Sequence, residues 1–136
     1  MGITNPVTAQ SIGAVPNSEI EFGTYTPTFS SILNVAATTP FLAQYMRVGN
    51  AVTVSGEVTI TPTNASTVAL GISLPVASDF TADNECAGMG IVAGGGANIG
   101  GIRASAANNV AQLVYNASPL GTTPTNFFFQ FTYTIK

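Results

Sequence analysis

Histidine and tryptophan are absent from this sequence, cysteine occurs once, and Lys, Arg, Asp and Glu together make up only 7% of its 136 residues. Each scarcity removes a class of function. Without histidine, the usual general base for a Ser or Cys nucleophile is missing, and Lys136 is a poor substitute, so hydrolytic triads are excluded and no enzyme is expected. A lone Cys86 cannot close a disulfide within the chain, and with no histidine it cannot build a zinc-type cluster. Three basic residues and a net charge of −3 offer no footprint for a phosphate backbone or an anionic bilayer, so neither nucleic acid nor membrane is an expected partner. Met1 to Pro6 lacks a basic region followed by an apolar run, and no stretch reaches the length of a membrane span.

The low charge bears on association as well. Soluble domains typically carry about 25% charged residues and use them to stay apart from one another. Here the polar surface must consist of Thr, Ser, Asn and Gln, whose neutral groups lose far less on desolvation than ions do. Such a surface suits packing against further copies of the chain. With 46% apolar residues, the chain is long enough for one hydrophobic core.

What the sequence has in quantity is period-two alternation bounded by Gly, Pro and Asn. Val52, Val54, Gly56, Val58 and Ile60 fall on one face of a strand, with Thr53, Ser55, Glu57 and Thr59 on the other. Val68, Leu70, Ile72 and Leu74 point inward in the next segment, with Thr67, Ala69, Gly71 and Ser73 outward. Near the C-terminus Phe127, Phe129, Phe131, Tyr133 and Ile135 oppose Phe128, Gln130, Thr132 and Thr134. Phe128 breaks that polar face, which fits the cap of a second core, a subunit interface or a half-covered surface ring. Gly49-Asn50 and Asn108-Asn109 read as hairpin turns, and Gly94-Gly95-Gly96 as a loop. The count of short strands predicts an all-β, antiparallel β-sandwich or jelly roll of about eight strands.

Residues 1–22 differ in kind. They hold two prolines and no sustained period, so they read as an extended arm ahead of a sandwich domain at 23–136. The isolated Ile3, Pro6, Val7, Ile12, Val15 and Pro16 cannot form a core of their own, and are the residues by which the arm would anchor to another surface if it docks at all.

The remaining constellations carry little chemistry. Asp79, Asp83 and Glu85 share one polar loop that reads as solvated and does not match a helix-flanked calcium loop, so no metal or cofactor is expected. Cys86 sits among small residues with no basic neighbour and reads as buried and inert. The glycine run lacks the Lys-Ser/Thr of a phosphate loop. Asn64-Ala65-Ser66 and Asn116-Ala117-Ser118 fit a glycosylation pattern that, without a secretory signal, reads as chance. Arg47, read as pointing outward from its hairpin, would pair with Glu57 across strands or with an acidic group of a neighbouring subunit, the first being favoured.

Gly23-Thr24-Tyr25-Thr26-Pro27-Thr28, then Gln44-Tyr45-Met46-Arg47-Val48-Gly49-Asn50 and Val52-Thr53-Val54-Ser55-Gly56, occur in the order found in a known kind of module. Leu70 to Ser78, Glu85-Cys86-Ala87-Gly88 and Phe129-Gln130-Phe131-Thr132-Tyr133 continue it. Over about residues 23–136 the chain resembles the β-rich terminal module of bacteriophage head and tail fibre or decoration proteins. The resemblance implies a virion structural protein, made in the host cytoplasm and commonly homotrimeric. It also implies attachment to a capsid or tail protein through the N-terminal segment. Tyr25, Arg47 and Phe128 are the expected subunit-interface residues. A second reading is a carbohydrate- or receptor-binding module at a fibre tip that meets a host surface glycan. Against it stand the missing Trp and the absence of a stacking platform among Tyr25, Tyr45, Tyr115 and Tyr133.

Overall fold

The computed structural model describes residues 20–94 and 98–136, and they form an antiparallel all-β architecture of ten strands. In chain order these are β1 Ile20–Tyr25, β2 Phe29–Leu33, β3 Val35–Pro40, β4 Ala43–Val48, β5 Ala51–Pro62, β6 Thr67–Ile72, β7 Cys86–Val92, β8 Ile99–Ser105, β9 Val110–Asn116 and β10 Thr125–Thr134. The hydrogen-bonded order is β1-β4-β5-β10-β7-β8-β9-β6-β2, with β3 also paired to β5. The sheet curls into a half-barrel of the sandwich-like class. Its ladder is unbroken, and it has more strands than the alternation alone suggested. Among the described residues no helix is long and apolar enough to cross a membrane.

The alternating segments fill the concave side. Val52, Val54, Val58 and Ile60 of β5 are fully buried, as are Val68, Leu70 and Ile72 of β6 and Phe127 and Phe131 of β10. Burying each such side chain is worth about 1.5–3 kcal/mol. Phe129 and Phe131 stack at 6.1 Å between ring centroids, and Phe80 meets Tyr133 edge-on at 5.9 Å. Gly56, at an inward position of β5, leaves room for the Phe129 ring: a Cβ there would stand 2.7 Å from Cζ. In β6 the outward Ala69 and Gly71 are buried too, against the sequence expectation, because Ser30, Ile32 and Val110 of the flanking strands fold over Gly71.

Turns set the registers. The two-residue link Gly49-Asn50 joins β4 to β5 with Val48 opposite Ala51, and of the two only Gly49 takes a positive φ (61°). The β8–β9 connection ends on Asn109 at φ 53°, whose backbone N–H donates to the Ser105 carbonyl at 2.7 Å.

A corner at Asn34 (φ 58°) divides β2 from β3, and so carries the chain from β6 at one end of the sheet to β5 in its other half. The Asn34 side chain anchors that corner. Its Nδ2 donates to the Asn64 carbonyl at 3.0 Å, and its Oδ1 accepts from the Asn64 backbone N–H at 2.9 Å.

The segment from Ser78 to Glu85 fastens the far end of β10. Ser78 Oγ donates to the Thr134 carbonyl at 3.1 Å and accepts from the Lys136 backbone N–H at 3.1 Å. The expected solvated loop is exposed at Asp79 and at 81–84, and it closes with a 3₁₀ turn at Asp83–Glu85. Glu85 accepts from the backbone N–H groups of Thr81 (2.6 Å) and Ala82 (3.2 Å) and pairs with the Lys136 ammonium. These contacts, led by that of Lys136, hold the Glu85 carboxyl down at about 2. Asp83 pairs with Arg103 at 3.0 Å.

Pairing of β1 begins at Ile20 opposite Val48, so residues 20–22, expected in the arm, belong to the sheet. Ile3, Pro6, Val7, Ile12, Val15 and Pro16, the expected anchoring residues, lie outside the described residues.

Candidate functional site

Cross-strand register places the outward residues of β1, β4, β5, β10, β7 and β8 in continuous rows on the convex face. One row runs Thr24, Gln44, Ser55, Gln130, Met89, Gly101. A second runs Phe22, Met46, Thr53, Thr132, Ala87, Arg103. A third brings Glu57, Phe128, Ile91 and Ile99 side by side. Across the outward positions of the first five of these strands, Glu57 is the one ionised side chain. The rest are hydroxyls, amides and exposed apolar groups.

Those apolar groups form two separate patches. At the sheet edge, Phe22 is 72% exposed, Met46 43%, and Ile20 and Val48 37% each. Over β4, β10, β7 and β8, Leu42, Met89, Ile91, Ile99 and Phe128 are all exposed. Leu42, Met89, Ile91 and Phe128 wall an open depression of about 470 Å³, with Ser55, Glu57 and Gln130 as its polar lining. A neutral strip containing Gln44, Thr53 and Thr132 separates the patches. Hydrogen bonds tie the polar groups together: Thr53 Oγ1 lies 3.0 Å from Thr132 Oγ1, and Asn126 Nδ2 donates to Glu57 Oε1 at 2.8 Å. Glu57 is therefore engaged within the face.

Of the three expected interface residues, only Phe128 stands on this surface. Tyr25 faces the concave side, where its ring meets Tyr45 edge-on at 6.2 Å and its hydroxyl donates to the Ser73 carbonyl at 2.9 Å. Burial raises its pKa.

The expected cross-strand pair of Arg47 with Glu57 does not form. The two-residue turn puts Arg47 opposite Val52, on the inward-facing side, and its Nε donates to the Gly49 carbonyl at 2.8 Å. Glu57 lies five residues further along β5, about 16 Å away at strand rise, and on the opposite face.

Of the apolar members of the depression only Phe128 was named from sequence; Leu42, Met89 and Ile91 were not, although a signal existed for the β7 pair. In β7 the small Gly88 and Gly90 alternate with the large Met89 and Ile91, so the bulky residues take the solvent side. Cys86 is buried as expected, and desolvation raises its thiol to about 12, which leaves it un-ionised and unreactive.

Tyr115 and Tyr133 are buried, and the Tyr115 hydroxyl finds no hydrogen-bond partner among the described residues. Also among them, no group of three or more His, Cys, Asp or Glu side chains could hold a metal ion. Comparisons with protein-family models, curated proteins and solved structures find no match for this chain.

Proposed function

We propose that this chain is a structural protein of a bacteriophage virion, a capsid decoration protein or a head or tail fibre module. In this reading it assembles as a homotrimer and is fastened to a capsid or tail protein by its N-terminal segment. The observation that carries the self-assembly part is the convex face. Seven large apolar side chains, Phe22, Leu42, Met46, Met89, Ile91, Ile99 and Phe128, are exposed around a floor of hydroxyls and amides. Contiguous exposed apolar patches rimmed by polar groups mark interaction surfaces, and a nearly uncharged one can be covered without stripping ions of water. The virion assignment comes from the ordered motifs between Gly23 and Tyr133 that resemble fibre modules.

A glycan-binding role draws less support. The aromatic rings exposed on this face are Phe22 and Phe128, while Tyr25 and Tyr45 direct their hydroxyls to partners within the chain. Sedimentation of the purified protein at micromolar concentration tests the assembly: three chain masses of 13.8 kDa each are expected, and a monomer would sink it. Tracing the chain in an image of an intact particle tests the virion assignment, which fails if the density is absent.

A further inference from the structure

Register sets four side chains of the convex face at the corners of a small rectangle. Ser55 on β5 stands opposite Gln130 on β10, and Glu57 stands opposite Phe128. Each pair spans one strand spacing, about 4.8 Å, and the two pairs lie two residues apart along the strands, about 6.8 Å. Three corners are polar, and the fourth is an aromatic ring that is 48% exposed. Met89 and Ile91 on β7 flank Gln130 and Phe128, and Leu42 lies on the β4 side, so the rectangle is the floor of the 470 Å³ depression.

Glu57 is half-buried there, held in place but not neutralised. Thr59 Oγ1 donates to Asn126 Oδ1 at 2.7 Å, and Asn126 Nδ2 donates to Glu57 Oε1 at 2.8 Å, a relay that orients the carboxyl group. Among the described residues no donor reaches its Oε2, and the ion pairs of Arg103 with Asp83 and of Lys136 with Glu85 leave it without a cation. A neutral or acidic surface laid over this hollow would bury the carboxylate unpaired, which is costly.

We propose that the depression receives an arginine side chain of a partner protein. The guanidinium plane lies on the Phe128 ring and donates to the Glu57 carboxylate, with the oxygens of Ser55 and Gln130 as further acceptors. The methylene stem and its apolar neighbours cover Leu42, Met89 and Ile91. A lysine ammonium would reach the carboxylate as a point charge, without matching the flat ring or the spread of acceptors.

This chain does not supply the arginine. Its cationic side chains are Arg47, Arg103 and Lys136. Arg47 faces inward with its Nε on the Gly49 carbonyl, and the other two are held in ion pairs. The occupant is therefore a different protein, and the edge patch of Phe22 and Met46 is left to the self-assembly proposed above.

The test titrates full-length protein with acetylated pentapeptides, leucine on both sides of a central arginine, lysine or citrulline, the last an uncharged isostere of arginine. Backbone amide NMR signals of Glu57, Phe128 and Gln130 are expected to shift with the arginine peptide. Affinity should fall on the order of tenfold for the citrulline peptide and for the Glu57→Gln variant, and several-fold for the lysine peptide and for Phe128→Leu. Phe22→Ala should bind as the wild type does, and unchanged melting profiles check that the variants fold. No shift at the depression, or equal affinity for the arginine and citrulline peptides, would overturn the site. Equal affinity for the lysine peptide would overturn the choice of arginine. Sedimentation of Glu57→Gln separates this inference from the self-assembly reading: the assembled mass should match the wild type, and a lower mass would give the depression to a contact between copies and sink the proposal. A monomeric wild type that binds the arginine peptide would overturn the self-assembly alone.

Discussion

Of the described glycines, Gly88 is the one where an added Cβ would come closest to another atom. A Cβ built there would stand 2.1 Å from the Gln130 carbonyl oxygen and 2.6 Å from Phe131 Cα, both backbone atoms of β10 that no rotamer change can move. Gly101, one strand over, would meet nothing within 4 Å. Gly88→Ala is therefore expected to destabilise the fold by about 3 kcal/mol or to prevent folding, while Gly101→Ala stays within about 0.5 kcal/mol. Urea denaturation of the two variants checks the contrast. Neither position could be ranked from the sequence, because both read as one more glycine in a β-rich run. What distinguishes them is the approach of β10 at Gln130 and Phe131, more than forty residues further along the chain and invisible to local pattern. Arg47 makes the same point. Its type and its hairpin were legible, but its face was not, since a single step of register moves every side chain to the other side.

At the scale of elements, the long strands β5 and β10 were legible almost residue by residue, since each buries one full alternating face. The short strands β2 and β3 were not. Their burial is partial, and they are held by the Asn34 corner and by pairing to distant β6 and β5. The clasp between the 78–85 segment and the end of β10 was hidden for a similar reason: Glu85 and Lys136 are far apart in sequence.

That clasp gives a pH dependence. The folded Glu85 carboxyl is held near 2, below its ordinary value of 4.5, so acid protonates it first in the unfolded chain. Its contribution is complete above pH 4.5 and is lost as pH falls through about 2. Glu85→Gln should lower stability at neutral pH and flatten the loss of stability between pH 4.5 and 2. Urea titrations across that range measure both effects, and a parallel decline in variant and wild type would rule out the contribution.

For the whole molecule, scarce charge sets how association responds to its medium. Interfaces steered by ions weaken as salt screens them, over a Debye length of about 10 Å at 0.1 M. Over β1, β4, β5, β10 and β7 the convex face offers Glu57, already engaged, and otherwise neutral or apolar groups, and Arg103 on β8 is paired with Asp83. The assembled mass is therefore expected to hold between about 0.05 and 0.5 M sodium chloride, where screening changes most. Light scattering across that series checks this, and dissociation at the high end would point to an ionic contact instead.

The central position of β10 also governs the order of events at birth. It lies between β5 and β7, so until residue 134 has been synthesised and has left the ribosome no ladder joins those two strands, and the halves of the sheet meet only through the Asn34 corner and the turn after β5. No ordered subset of earlier strands can finish the core, because its largest rings arrive last. Until β10 docks, β5 and β7 each present an open strand border to their surroundings, the stage at which chaperone protection counts most.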